Sequence, residues 1–230
     1  MTQNLPLFPL HTVLYPGTPI ALHIFEERYR QMIGWCLDQS APFGVVLIRN
    51  GSEVDPNDAS VRQLRERSGI TPPGNTETTS VAIGSSARIV DCHRFDDGRY
   101  YLNAIGLQRF RVQTITQQRP YLIATVQILA DQAEPALRSL ASDLHDLYRR
   151  FWKVAEVATG QRQVIEALPE EPTELSYTLA HLLNVDPRLK QRWLEADTRT
   201  RLRELTEAIR SELALLPGQR SDGSSPWSLN

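Results

Sequence analysis

The chain has 230 residues, of which 41% are hydrophobic and 23% charged, enough for one large globular domain or two small ones. Its formal net charge of −2 gives no global attraction to nucleic acid or anionic lipid. Two cysteines, Cys36 and Cys92, are too few and too far apart for a zinc motif or a disulfide framework, and no apolar run approaches the ~18 residues that span a bilayer. Residues Met1 to Leu10 lack a basic region and contain Pro6 and Pro9, which argues against a signal peptide. The expectation is a cytoplasmic protein with no membrane attachment.

The first part of the chain carries strand periodicity. Ile20, Leu22 and Ile24 alternate with Ala21, His23 and Phe25, as in a strand with both faces at least partly covered. Tyr29, Met32, Ile33, Cys36 and Leu37 fall on one helical stripe, predicting a helix over Glu26–Asp38 with Cys36 as a core residue. Phe43 to Ile48 is a short apolar run suited to a buried strand. Residues 50–80, rich in Pro and Gly, predict a long excursion with a helical turn or two around 60–67. Asp97-Gly98 marks a hairpin between Arg88–Phe95 and Arg99–Ile105. Gly106 predicts a turn or bulge. Phe110 and Val112 then alternate with Arg109, Arg111 and Gln113, and a last strand follows at Tyr121–Leu129.

Beyond Ala130 the period becomes helical. Leu137, Leu140, Leu144, Leu147, Phe151, Val154 and Ala158 form a seam, stopped by Thr159-Gly160. A second helix follows Pro172, carries Leu175, Leu179, Leu182 and Leu183, and is expected to end at Asp186-Pro187. A third begins near Asp197 and carries Leu202, Leu205, Ile209, Leu213 and Leu216. Residues 217–230, rich in Gly, Ser and polar residues, predict a disordered tail. The fold class expected is α+β: a β-rich domain over 1–131 and an antiparallel helical bundle over 132–216.

Catalytic chemistry is not legible. There is no G-x-x-x-x-G-K-[ST] phosphate loop, no G-x-S-x-G elbow and no H-E-x-x-H helix. The five histidines show no i, i+4 pair, and Cys92 and His93 are adjacent in a strand and so point to opposite faces. No metal, cofactor or catalytic residue is therefore assigned. The arginines Arg99, Arg109, Arg111 and Arg119 fit the solvated face of an amphipathic strand better than an RNA-binding stripe.

Seven fragments in order resemble the N-terminal, substrate-binding domain of Lon proteases: Leu5-Pro6-Leu7-Phe8-Pro9-Leu10, Leu14-Tyr15-Pro16-Gly17, Ile24-Phe25-Glu26-Glu27-Arg28-Tyr29, Phe43-Gly44-Val45-Val46, Val81-Ala82-Ile83-Gly84, Asp97-Gly98-Arg99-Tyr100 and Gly106-Leu107-Gln108-Arg109-Phe110-Arg111-Val112. Leu182-Leu183, Gln191, Trp193-Leu194-Glu195-Ala196 and Arg201-Leu202 extend the likeness to residues 4–216. The resemblance implies a PUA-like barrel of mixed strands with one helix, followed by a helical bundle. It also implies a stand-alone, non-catalytic module without the ATPase and serine–lysine peptidase domains of the proteases. Such a module would bind unfolded or apolar polypeptide segments and partner a protease as an adaptor or regulator; a PUA-like RNA-binding module is the alternative. The family-motif positions Pro9, Pro16, Glu26, Arg28, Tyr29, Gly44, Gly84, Gly98, Tyr100, Gly106, Arg109 and Phe110 are the candidate residues, for structure or for binding. Glu26, Arg28 and Arg109 are expected to tie the helix to the barrel by hydrogen bonds.

Overall fold

Along β1 (Thr2–Leu10) Leu5 and Leu7 enter one apolar cluster while Phe8 and Leu10 enter another, so the strand is covered on both faces. A computed structural model describes residues 2–50, 79–131, 135–159 and 168–216. It adds β2 (Pro19–Ile24), helix α1 (Glu27–Gln39), β3 (Phe43–Asn50), β4 (Thr79–Arg94), β5 (Tyr100–Gln117) and β6 (Leu122–Leu129). The expected excursion over 50–80, apart from its strand ends, the stop at Gly160 and the tail over 217–230 lie outside the described residues.

The sheet is mixed. β1 runs parallel to β3 and antiparallel to β6, while β3–β4, β4–β5 and β5–β6 are antiparallel. These pairings close β5, β4, β3, β1 and β6 into a ring. β5 is long enough for two tasks: its second half closes the ring on β6, and its first half carries β2, from Pro19↔Ile105 to Ile24↔Tyr100. Leu5, Leu7, Val46, Phe110, Ala124 and Val126 form one core, and a second links the sheet to Tyr29, Met32, Ile33 and Cys36 of α1. Burial pushes the Cys36 thiol up to about 12, as suits a packing residue rather than a nucleophile.

Several local expectations change. Leu37 is 38% exposed and leaves the α1 stripe. In β2 only Leu22 and Ile24 are buried, whereas Ala21 and His23 face solvent, so one face of this strand is open. Gly106 is not a turn between strands: β5 runs through it with a register shift opposite Ser85–Ala87. That bulge resets the alternation, and Arg109 is buried beside Phe110 instead of lying on a solvated face.

The chain clusters into two compact units, Met1–Ala130 with His181–Glu195, and Asp131–Ala180 with Ala196–Asn230. The second contains a 3₁₀ turn (Pro135–Leu137), α2 (Arg138–Thr159), most of α3 (Pro172–Leu182) and α5 (Thr198–Leu215); a short helix, α4 (Pro187–Glu195), belongs to the first. On α2 the most buried residues are Ala141, Leu144, Tyr148 and Ala155. The seam is thus displaced by one from Leu140, Leu147 and Val154, onto Ala141, Tyr148 and Ala155, and this helix packs against α5. Asp197 caps α5 by accepting the Thr200 N–H at 2.7 Å. That hydrogen bond holds the Asp197 carboxyl below the usual carboxylate range. The capped stability is present above the ordinary carboxylate value and is lost as pH falls through the lowered one. Asp197→Ala should cost about 1 kcal/mol at neutral pH, and the gap from the unmodified chain should close in acid; denaturant titrations at both pH values check this.

Candidate functional site

Most family-motif side chains hold the scaffold. Asp186 opens α4 by accepting the Arg188 N–H at 2.6 Å, with Pro187 in the first helical position. Three hydrogen bonds then fasten that helix to the ring. Tyr15 Oη donates to the Lys190 carbonyl at 2.8 Å, Gln191 Nε2 donates to the Ile83 carbonyl at 2.9 Å, and Arg109 Nη1 donates to the Leu194 carbonyl at 2.8 Å. Arg109 therefore satisfies a carbonyl in the last turn of α4, while Glu26 bonds Arg28 locally. Arg109→Ala should destabilise the protein by about 2 kcal/mol by stranding that carbonyl, read as a shift in urea midpoint.

Gly44 and Gly84 leave room for the buried Phe110 ring, since a Cβ at Gly44 would come within 2.7 Å of Phe110 Cζ. Pro16 and Gly17, the latter at φ 76°, form the centre of a turn closed by Thr18 N–H on the Tyr15 carbonyl at 3.2 Å. Gly98, at φ 81°, takes the left-handed position of the β4–β5 hairpin. Pro9 lies inside β1 opposite Val46. Tyr100 is in the core with α1.

Glu26, Arg28 and Tyr29 meet at a different kind of place. A cavity of about 180 Å³ opens where β2 hands the chain to α1. Phe8, Leu10 and Tyr29 contribute from β1 and α1, Ala21 to Ile24 from both faces of β2, and Phe25 and Glu26 from the link to α1. Lining by both faces sets the cavity at the strand's edge. Glu26 is 4% exposed and pairs with Arg28 Nε at 3.0 Å; the Arg28 guanidinium in turn lies 4.4 Å from the Tyr29 ring centre. The cavity has a mixed lining, apolar at Phe8, Leu10, Leu22 and Ile24 and polar at His23 and the paired carboxylate of Glu26.

An aromatic row crosses the open face of the sheet beside it. The register places His23 opposite Tyr101 and Tyr101 opposite His93, all three exposed, with Tyr101 at 47%. Phe25 lies 5.8 Å from the His23 ring centre, and Phe95 lies 4.7 Å from that of His93, edge to face. Five rings therefore run in sequence across three strands, and Phe25 and His23 belong to both the row and the cavity. Among the described residues there is no cluster of three or more His, Cys, Asp or Glu side chains fit to hold a metal ion.

Comparison with known proteins fixes the family. Residues 4–211 match the model of the ATP-dependent protease La (LON) substrate-binding domain. The chain belongs to that family. Lon protease of Syntrophus aciditrophicus (strain SB) is 24% identical over 94% of the chain, and Lon protease 2 of Myxococcus xanthus is 29% identical over 78%. The chain spans 26% and 19% of the length of these two proteins. The crystal structure of a Lon N-terminal domain protein from Xanthomonas campestris superposes with a TM-score of 0.57 and 26% identity, covering 89% of this chain and 98% of that one. The N-terminal domain of Mycobacterium avium complex Lon protease shares the fold, with a TM-score of 0.60 at 15% identity, covering 90% of this chain and 98% of that one.

In this Lon substrate-binding domain the candidate residues thus divide. Glu26 and Tyr29 line the cavity and Arg28 buttresses it, whereas Gly44, Gly84, Gly106, Arg109 and Phe110 sit in the scaffold. The four arginines form no single stripe, because Arg109 is buried and Arg99 pairs with Asp97 at 2.7 Å. Sequence reasoning missed the His23–Tyr101–His93 row, although exposed rings at alternate strand positions next to the Asp97-Gly98 turn could have signalled it. No described helix is long and apolar enough to cross a membrane.

Proposed function

We propose that this Lon substrate-binding domain captures apolar segments of polypeptides at the cavity between β1, β2 and α1, and that it serves proteolysis as an adaptor or regulator. The observation that carries the reading is the cavity itself, about 180 Å³, lined in part by Phe8, Leu10, Leu22 and Ile24 and continuous with the exposed aromatic row. A cavity of ~150 Å³ takes a benzene-sized ring, so by volume this one fits a single aromatic or branched side chain. Family membership supplies the second support, since the matched domain is described as substrate-binding. A peptide array tests the reading. Segments bearing Phe, Leu or Ile should be enriched over polar controls of equal charge, and Phe25→Asp should cut their binding at least about fivefold by charging the rim. Equal capture of the polar controls would sink it.

A further inference from the structure

The open edge of β2 is a second feature of the same place, and the ladder reveals its phase. Gly106 N–H donates to the Thr18 carbonyl at 3.0 Å, and the register pairs Ile20 with Ala104, Leu22 with Leu102 and Ile24 with Tyr100. In an antiparallel pair, residues alternate between bonding their partner and facing away. Ile20, Leu22 and Ile24 therefore turn their backbone groups toward β5, and Ala21 and His23 turn theirs outward. No strand pairs with that outer side among the described residues. Such an edge is a template for another chain.

We propose that an extended, uncharged polypeptide segment binds by adding a strand to the free edge of β2, hydrogen-bonded to the backbone of Ala21 and His23. One aromatic or branched side chain of that segment enters the cavity, and its outward-facing neighbour extends the ring row at His23 and Tyr101. The period of two required by a strand suits the surface: the buried Leu22 and Ile24 line the cavity, while His23, exposed at its edge, opens the ring row. Charge complementarity selects an apolar occupant. The carboxylates of Glu26, Glu27 and Asp97 near the strand each pair with an arginine, respectively Arg28, Arg30 and Arg99, leaving no unbalanced charge among them to attract a charged peptide. The inference rests on the substrate-binding reading above and adds its geometry.

The test uses the whole chain and a fluorescein-labelled peptide of about nine residues, alternating Thr and Val around one central Phe. Two further peptides carry backbone N-methyl groups, one at odd positions and one at even positions, so that each loses the donors of one edge. Fluorescence anisotropy should show one methylated peptide weakened at least tenfold and the other binding within about threefold of the parent. Ala21→Pro, which removes one outward donor and leaves the β5 ladder intact, should weaken the parent peptide by a similar factor. If the parent binds and both methylated peptides bind equally well or equally poorly, strand addition is wrong and the substrate-binding reading stands. If neither the parent nor any array peptide binds, that reading itself falls.

Discussion

Gly106→Ala should destabilise this domain by at least about 3 kcal/mol and shift its thermal midpoint by several degrees or abolish folding. An added Cβ would lie 2.1 Å from the Tyr15 carbonyl oxygen and 2.9 Å from its carbon. Those atoms are backbone, so no side-chain rotation relieves the overlap. The same residue accepts the Gly17 N–H at 2.8 Å and donates to Thr18, so moving it pulls apart the start of the β2–β5 ladder. Gly98→Ala makes the informative control. Its strain is a left-handed φ with only the flexible end of Arg30 at 3.1 Å, and about 1 kcal/mol is expected. Circular dichroism melts of the two variants would rank them, and an equal loss would refute the backbone-overlap argument.

Arg201→Ala should cost about 3 kcal/mol in the helical unit. The side chain is fully buried, yet its guanidinium is met on every side. Nε donates to Ser176 Oγ at 2.8 Å, Nη1 to the Ala196 carbonyl at 2.9 Å and Nη2 to Thr198 Oγ1 at 3.3 Å. Its Cζ lies 3.9 Å from the Tyr177 ring centre, and Tyr177 Oη donates to Asp131 at 2.6 Å. One residue thus joins α3, the Ala196 carbonyl and the first turn of α5. Lysine cannot replace the planar fork, so Arg201→Lys is expected to recover less than half of the loss. Full recovery by lysine in a urea titration would show that charge alone matters there.

The comparison of sequence with structure turns on a few residues. The hydrophobic stripe at Tyr29, Met32, Ile33 and Cys36 placed α1 within one residue of Glu27–Gln39, because that face has a large apolar cluster to bury in. The Asp97-Gly98 pair marked its hairpin through a local backbone demand. Asp186-Pro187 starts α4 instead of stopping a helix, since aspartate followed by proline also suits an N-cap and first helical position. Whether such a pair ends or begins a helix depends on what the following turns pack against, and that is not a local property. Arg109 was obscured likewise, because the bulge that buries it depends on the opposing strand. The cavity depended most on tertiary contacts. Phe8 and Tyr29 carry ordinary core signals, and only the packing of β1, β2 and α1 into one cluster brings them beside Ala21–Glu26.

The placement of α4 has a consequence for dissecting the molecule. The first unit is discontinuous in sequence, taking residues 181–195 from within the helical half. A fragment ending near residue 131 would keep all six strands yet strand the Tyr15 hydroxyl, the Arg109 guanidinium and the Ile83 carbonyl that α4 occupies. No single cut separates the units. Supplying residues 181–195 as a free peptide should restore protection from proteolysis to such a fragment, whereas the same peptide with Gln191 replaced by Leu should restore less.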